Sequence, residues 1–183
     1  MPRTKAEWRQ WAGDILPASE VESAAVCEIV LQALRRHSVK VVLTFLAMRG
    51  EIDLACLQND PALVLGVTRT PPRGPLTIHR LEGSLEMHPF GYLQPAANAE
   101  LMDAAEIEAV LVPGVLFSAA GARLGHGRGY YDQLLSGLPG QPRLIGITVD
   151  RRVVDELPMT KTDVWMDSIA TETGYRETGG MEA

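Results

Sequence analysis

The feature that most constrains the fold is a series of short apolar runs separated by helical or loop segments. The first run, residues 39–48 (VKVVLTFLAM), is β-branched and continuously apolar, as is typical of a parallel strand buried on both faces. Similar strand candidates follow at residues 62–69, 76–81, 107–117 and 143–150. Because strands alternate with helical segments, the sequence predicts an α/β layered fold around a mainly parallel sheet.

Three segments of the chain depart from this alternation of strands and helices. Residues 2–37 predict two packed helices, with Thr4 as the first cap and Pro17 as the break between them. Prolines in residues 68–83 suppress a crossover helix and predict one antiparallel or hairpin excursion. The polar, glycine-rich segment from about residue 173 is expected to fray.

Size and composition predict one domain spanning residues 1–183, because a chain of this length can bury well over half of its unfolded surface around one core. The net charge of -6 argues against a general nucleic-acid binder, which needs a positive surface to displace counterions from phosphates. The apolar runs fall far short of the roughly 20 residues of a membrane span. No membrane association and no export are therefore expected.

The two cysteines, Cys27 and Cys56, lie in apolar, helix-like contexts without CxxC spacing or flanking histidines. Both are predicted to be small buried hydrophobes rather than a redox or metal pair. That prediction suits a reducing cytosol, and we expect a cytoplasmic protein.

The most distinctive local feature is residues 123–132 (RLGHGRGYYD), which link a buried strand to a helix. Three glycines leave backbone N–H groups open to an anion, and the helix that follows adds its N-terminal dipole. The spacing matches neither the dinucleotide-binding nor the P-loop pattern, so a structural glycine-rich turn stays open as an alternative. The alternating arginines, Arg123 and Arg128, favour the anion-binding interpretation.

Four other charged residues lie at positions that are compatible with a role in binding a ligand or a metal ion. Asp132 can bridge to a phosphate through Mg²⁺ or simply complement the start of its helix. Lys5 and Arg9, spaced i and i+4, point the same way on the first helix, although a solvated basic face is the default for such a pair. Glu51 follows the strand at 39–48, at the end where open α/β sheets place their ligands. The four histidines show no metal spacing, and no serine occupies a nucleophile elbow.

Several motifs together resemble one enzyme family. They are KAEWR (5–9), FLAMRGEID (45–53), FGYLQP (90–95), VPGVLF (112–117) with the glycine-rich stretch, and DELPMTKTDVWMDSIATE (155–172). In this order, over about residues 5–172, they are similar to the signature of 5-formyltetrahydrofolate cyclo-ligases, also called methenyltetrahydrofolate synthetases.

The resemblance implies a three-layer α/β domain similar to the ribose-5-phosphate isomerase and CoA-transferase group. It also implies an enzyme whose partners are ATP and a reduced folate, and we expect a monomer. In this family 5-formyltetrahydrofolate becomes 5,10-methenyltetrahydrofolate in an ATP-dependent, Mg²⁺-requiring reaction that releases ADP and phosphate. The family mechanism passes through a phosphorylated formyl group.

The resemblance also assigns roles to residues of this chain by motif. Arg123 and Tyr131 are the expected catalytic residues, and Asp132 and Asp163 the expected Mg²⁺ ligands. The expected ATP contacts are Lys5, Arg9, Arg123, Leu124, Gly125, His126, Gly127, Arg128, Gly129, Tyr130 and Tyr131. The expected folate contacts are Leu46, Glu51, Tyr92, Gln94, His126, Gly127, Arg128, Gly129 and Tyr130, with Glu51 accepting from pterin N–H donors.

Two alternatives remain open from the sequence. One is a relative that binds nucleotide or folate without turnover, because Ser118 stands where many members carry aspartate. The other is a ligase or kinase acting on a different N-formyl or thiamine-related metabolite.

Overall fold

The computed structural model describes residues 3–179. The helices are α1 (Lys5–Gly13), α2 (Glu20–Arg36) and α3 (Tyr130–Gly137). The strands are β1 (Val41–Thr44), β2 (Val64–Arg69), β3 (Thr77–Arg80), β4 (Leu85–Met87), β5 (Leu93–Pro95), β6 (Ala109–Pro113), β7 (Leu116–Ser118), β8 (Arg123–Leu124), β9 (Arg143–Ile147), β10 (Val153–Val154), β11 (Ser168–Thr171) and β12 (Gly174–Glu177). Short 3-10 helices span Ala55–Asn59, Ala104–Glu106 and Asp150–Arg152.

Seven strands form the central sheet in the order β12-β11-β9-β6-β1-β2-β3. The five inner strands run parallel, whereas the edge strands β12 and β3 pair antiparallel. The chain places β2 and β3 on one side of β1 and the later strands of this sheet on the other, so the strand order reverses between β1 and β6. Open α/β sheets bind ligands outside the carboxyl ends of their strands at such a reversal.

The sheet is the middle one of three layers. Val42 of β1 belongs to a buried cluster with Val30 of α2, whereas the next residue, Leu43, packs with Phe117 of β7 and Leu135 of α3. Alternate residues therefore face opposite layers, because side chains along a strand point to opposite faces. The predicted α/β fold with a mainly parallel sheet is confirmed.

Both N-terminal helices begin with a capping box, which explains why the chain forms two helices here. The side chains of Thr4 and Ser19 accept hydrogen bonds from the backbone of Glu7 and Glu22, whose carboxylates bond back to the capping residues. Glu22 also forms an ion pair with Arg151 from the far end of the chain. Hydrogen bonds from Arg151 and Ser19 lower the pKa of Glu22 to about 2.

Replacing Glu22 with glutamine is expected to destabilise the protein at neutral pH. Because the folded-state pKa is depressed from 4.5 to about 2, the carboxylate's contribution is fully present above pH 4.5. It is lost as the pH falls through about 2. Urea unfolding across this range should therefore show the difference between the variant and the parent protein shrinking as the pH falls. Glu20→Gln, at an exposed position of the same helical turn, is the control; a pH-independent difference for Glu22→Gln contradicts the assignment.

The strands predicted at 39–48, 62–69, 76–81 and 143–150 are present as β1, β2, β3 and β9, and β3 forms the predicted antiparallel excursion. The single strand predicted over residues 107–117 was wrong. The chain turns at Gly114 and splits into β6 of the central sheet and β7 of a separate sheet ordered β10-β7-β8. A Cβ at Gly114 would lie only 2.7 Å from the Phe117 ring, so the fold-back needs glycine.

Fraying from residue 173 was also wrong over the described part of the tail. Residues 174–177 form β12, and Glu177 accepts hydrogen bonds from Arg143 of β9. Arg176 pairs with Asp150 at 2.9 Å. β12 forms the edge strand of the sheet by pairing with β11, so these polar residues are ordered by strand pairing. Residues 180–183 lie outside the described residues.

The cysteine prediction was partly wrong. The structure joins Cys27 of α2 to Cys56 as a disulfide, with Cα atoms 6.5 Å apart, a separation that a disulfide accepts. The prediction of burial was right for Cys27, which is 2% exposed in the cluster between α2 and the sheet. Because the two cysteines are paired, they no longer support the expectation of a reducing compartment. Within residues 3–179, none of the helices has the length and apolarity to cross a membrane.

Candidate active site

A cleft of about 930 Å³ opens at the carboxyl ends of β1, β2 and β6, where the strand order reverses. Five segments distant in sequence enclose it: α1, the loop after β1, the hairpin of β4 and β5, residues 123–136 and the turn at 160–163. It brings together all but one of the residues expected to bind ATP, folate or metal. The exception is Gln94.

Residues 125–129, here called the glycine loop, connect β8 to α3. Gly127 and Gly129 have φ of +93° and +70°, and Gly129 is the residue that caps α3. A Cβ at Gly125 would lie 2.9 Å from Nη1 of Arg123, so the backbone rests directly on this guanidinium. Residues 126–129 are exposed to the cleft. The loop is therefore a tight turn and also an accessible backbone surface.

Arg9 of α1 fixes the glycine loop from the other side. Its Nε donates a hydrogen bond to the carbonyl oxygen of Gly125 at 2.8 Å. A Cβ at Gly127 would lie 3.2 Å from Cζ of Arg9. Lys5, one helical turn earlier, also lines the cleft, so the basic pair predicted on one helix face does reach a common site.

Arg123 lies beneath the loop and not at its surface. The side chain is 4% exposed, and Nη2 donates to Oδ1 of Asp132 at 2.8 Å. Nη1 donates to the carbonyl oxygen of Pro113 at 3.3 Å, while Nε finds no hydrogen-bond partner among the residues described. The buried ion pair ties β8, the end of β6 and the first turn of α3 together.

Tyr131 follows directly in α3 and stays protonated. Burial raises its pKa to about 12, outweighing a hydrogen bond with Thr68 of β2 that acts in the opposite direction. The Arg123 guanidinium lies 5.6 Å from the ring centroid. The phenol therefore faces the cleft as a neutral group that can donate a hydrogen bond.

Asp163 and Lys5 close the opposite rim. Lys5 Nζ forms an ion pair with Oδ2 of Asp163, which also accepts hydrogen bonds from the backbone and hydroxyl of Thr160. Burial pushes the pKa of Asp163 upward, but these hydrogen bonds outweigh it and hold the pKa below its usual value. Asp163 is therefore an ionised carboxylate that links the turn at 160–163 to α1.

Glu51 faces the glycine loop from the segment after β1. Gly50, with φ of +90°, lets the chain turn so that Oε2 of Glu51 accepts a hydrogen bond from the backbone of Met48 at 2.9 Å. Oε1 lies 3.7 Å from Nε2 of His126. Leu46 lines the same wall. The acidic group and the basic loop thus face each other across one cleft.

The hairpin of β4 and β5 covers a further side, with Phe90, Tyr92 and Leu93 lining the cleft. The Tyr92 hydroxyl donates to Oγ1 of Thr70 at 3.1 Å. The prediction that Gln94 lines the pocket was wrong in placement. Because strand neighbours point to opposite faces, Gln94 turns inward, is 3% exposed and accepts a hydrogen bond from the backbone of Thr70.

Sequence reasoning missed several hydroxyl groups of the cleft. Thr68 and Thr70 at the end of β2, and Thr160 and Thr162 in the last turn, line it. A usable signal existed for the first two, because β2 was predicted beside β1 and the carboxyl ends of neighbouring parallel strands meet at one edge. The turn at 160–163 depends on tertiary packing that the sequence pattern does not reveal.

Ser118 lies outside the cleft. It is buried in the tight turn between β7 and β8, where its hydroxyl accepts a hydrogen bond from the backbone of Ala122 at 3.1 Å. Asp and Ser side chains both accept backbone hydrogen bonds in turns. The Ser118 hydroxyl can therefore accept the same backbone hydrogen bond in this turn that an aspartate carboxylate can accept.

The structure is similar to the NMR structure of Aquifex aeolicus 5,10-methenyltetrahydrofolate synthetase, with a TM-score of 0.79, 26% identity and coverage of 98% of this chain and 95% of that one. The model of the 5-formyltetrahydrofolate cyclo-ligase family matches residues 10–172. The chain belongs to the 5-formyltetrahydrofolate cyclo-ligase family.

Among curated members of the cyclo-ligase family, a 5-formyltetrahydrofolate cyclo-ligase of Mycolicibacterium smegmatis is 27% identical over 156 residues, covering 85% of this chain and 77% of that protein. A probable cyclo-ligase of Caenorhabditis elegans is 37% identical over 71 residues, which cover 36% of this chain and about a third (34%) of that protein. The family resemblance stated from the sequence is confirmed, as is the prediction that the chain is an enzyme of the ligase class.

Proposed function

We propose that this protein converts 5-formyltetrahydrofolate to 5,10-methenyltetrahydrofolate with ATP and Mg²⁺, releasing ADP and phosphate. The observation that carries the proposal is that a basic glycine loop and an acidic wall at Glu51 face each other in one cleft. At about 930 Å³ the cleft lies at the upper end of the range for ligand pockets. Such a volume suits two substrates side by side.

The glycine loop is the proposed phosphate site. Its exposed backbone and the start of α3 offer N–H donors, since helix N-termini attract anions. Lys5 and Arg9 supply positive charge from α1. This arrangement lets a protein with a net charge of -6 hold a triphosphate through local charge alone.

The donor set fits Mg²⁺. Asp132 and Asp163 both line the cleft; Arg123 contacts Oδ1 of Asp132, and Lys5 contacts Oδ2 of Asp163. Within residues 3–179 no group of three or more His, Cys, Asp or Glu side chains could hold a metal ion. Mg²⁺ usually takes only one or two carboxylates together with phosphate oxygens and water, so two aspartates suffice. When bound, the ion would neutralise charge on the phosphates.

The proposed chemistry needs no protein nucleophile. The bond between the γ-phosphorus and the ADP oxygen breaks as the formyl oxygen takes the phosphoryl group. N10 of the folate then attacks the formyl carbon and loses its proton to solvent, and phosphate leaves as the bond between the formyl carbon and its oxygen breaks. Phosphoryl transfer asks the protein mainly for positioning and charge neutralisation. The neutral Tyr131 hydroxyl can donate to a reacting oxygen. Arg123, being buried, acts as a positioning residue for Asp132 and the loop.

The folate is proposed to lie along the wall formed by Leu46, Glu51 and Tyr92. The Glu51 carboxylate can accept hydrogen bonds from pterin N–H groups, and the apolar side chains offer contact area to flat rings. Gln94 supports this wall from behind through Thr70. A monomeric state and a cytoplasmic location remain predictions.

The reaction is tested by mixing purified protein with 5-formyltetrahydrofolate, ATP and Mg²⁺ and following the near-ultraviolet absorbance of the methenyl product. Formation of product that depends on all three components is expected. If no product forms while ATP still raises the melting temperature, a binding protein without turnover is the better description. Nothing in the cleft favours that alternative, because Ser118 lies outside it.

Replacing Gly127 with alanine is expected to raise the KM for ATP at least tenfold. The added methyl group would meet the Arg9 guanidinium, and a left-handed alanine costs about 1–2 kcal/mol. Gly74→Ala is the matched control, because Gly74 has the same φ of +93° and nothing within 4 Å of its Cβ position. Both variants should lose similar stability in urea unfolding, and only Gly127→Ala should change ATP kinetics. Equal KM values for the two variants would remove the loop from the nucleotide site.

A further inference from the structure

A second cavity of about 400 Å³ lies behind Glu51 and His126, at the carboxyl ends of β1, β6 and β9. The end of α1, the segment between α1 and α2, and residues 147–149 form its other walls. It shares Arg9, Phe45, Glu51, Pro113 and His126 with the first cleft. Lys5, Tyr131, Asp132 and Asp163 line only the first one.

The lining of this cavity carries a surplus of positive charge. Arg9, Arg49 and Arg152 face it, against the single carboxylate of Glu51. Among the described residues, no carboxylate comes within ion-pairing distance of any of the three arginines. Glu51 is itself engaged by the backbone of Met48 and lies beside His126. Positive charge therefore exceeds negative charge in the lining of this cavity.

Arg152 is one of these arginines and is half-buried. Burial and, to a smaller extent, the charge of the neighbouring Arg151 lower the pKa of Arg152, whereas the Glu51 carboxylate raises it. Its Nη1 and Nη2 donate to the carbonyl oxygens of Val115 and Ile15, which anchor the guanidinium in place. A guanidinium carries five N–H donors. The anchored group thus retains donors for a ligand.

Thr148 provides an independent sign of a missing partner. Its side chain is 3% exposed and lines the cavity, yet Oγ1 has no hydrogen-bond partner within residues 3–179. Most buried side-chain polar atoms in proteins are paired, and leaving one unpaired costs stability. A hydroxyl in this position can donate to an anion held by the arginines.

We propose that this cavity binds a small oxyanion, a phosphate or a carboxylate, between Arg49, Arg152 and the Thr148 hydroxyl. Two sources share that chemistry, and both rest on the proposed function. One is the phosphate released by the reaction, which would move past Glu51 and His126. The other is a carboxylate of the glutamate moiety of the folate. Binding of the anion itself does not depend on either source.

The proposal is tested by isothermal titration at low ionic strength with inorganic phosphate and, separately, with L-glutamate, in the absence of ATP and folate. Thr148→Val and Arg49→Met each remove one donor. Because a hydrogen bond to a charged group has a large effect, each should weaken binding about tenfold or more. Lys161→Met, at an exposed position that lines neither cavity, should leave this binding unchanged. Thr148→Val should keep or raise the melting temperature, which shows that the variant is folded.

The outcomes separate the possibilities. Preference for phosphate identifies the released product as the source, and preference for glutamate identifies the folate. Binding that Thr148→Val and Arg49→Met leave unchanged, or no binding of either anion, overturns the proposal. Because the titrations contain no substrates, an inactive protein that still binds phosphate in this way contradicts only the proposed reaction.

Discussion

Asp132→Ala is expected to lower the free energy of unfolding by about 3–5 kcal/mol, the range for removing one partner of a buried ion pair. Arg123 is 4% exposed and would be left with its charge unpaired beneath the glycine loop. Turnover should fall by more than about 100-fold, because the variant also lacks a proposed Mg²⁺ ligand and a positioned loop. Urea unfolding and the methenyl absorbance assay measure the two effects. Asp155→Ala, at an exposed position, is the control.

The double variant Arg123→Met with Asp132→Ala separates the two roles of Asp132. Removing both charges of a buried pair is often nearly neutral, so much of the stability should return. Turnover should stay low, because the carboxylate is still missing. If turnover recovers together with stability, Asp132 acts only as the partner of Arg123.

Lys5→Met is expected to raise the KM for ATP by about tenfold to 100-fold, since a hydrogen bond to a charged group contributes about 1.5–3 kcal/mol. Lys5 lies in the cleft and is held by Asp163, so its ammonium group is already in position for a phosphate. Expressed as a free energy, the rise in KM should exceed the loss of stability, because the ion pair lies on the partly exposed rim.

Lys161→Met is the matched control for this second prediction. Lys161 belongs to the same turn as Asp163 but is exposed and does not line the cleft. Its removal should leave the KM for ATP unchanged. Similar effects of the two substitutions would mean that only general positive charge attracts ATP, and raising the salt concentration would then abolish the difference from the parent protein.

Much of the architecture was predictable because it depends on local patterns. Continuous β-branched runs marked β1, β2 and β9, and the prolines before residue 76 marked the antiparallel β3. The strand, glycine loop and helix from β8 to α3 were likewise readable from residues 123–132. Lys5 and Arg9 were correctly placed on one helix face, because i and i+4 residues are neighbours on a helix.

The remaining features depend on contacts between distant segments. Nothing near Arg123 in the sequence indicates burial, which follows from its contacts with Asp132 and with the carbonyl oxygen of Pro113. The Cys27–Cys56 pair joins residues 29 positions apart without a recognisable spacing. Gln94 could be placed inward only once the pairing of β4 with β5 was known, because a shift of one residue reverses the faces of a strand.

The contact between Lys5 and Asp163 joins two segments that are synthesised at different times. During synthesis α1, with Lys5 and Arg9, emerges from the ribosome well before the residues that they contact, Gly125 and Asp163. Until the turn at 160–163 has emerged, α1 lacks its contact with Asp163 and the cleft lacks one of its rims. The cleft is therefore incomplete in chains that end before residue 160, and α1 gains its contact with the turn at 160–163 only after that point.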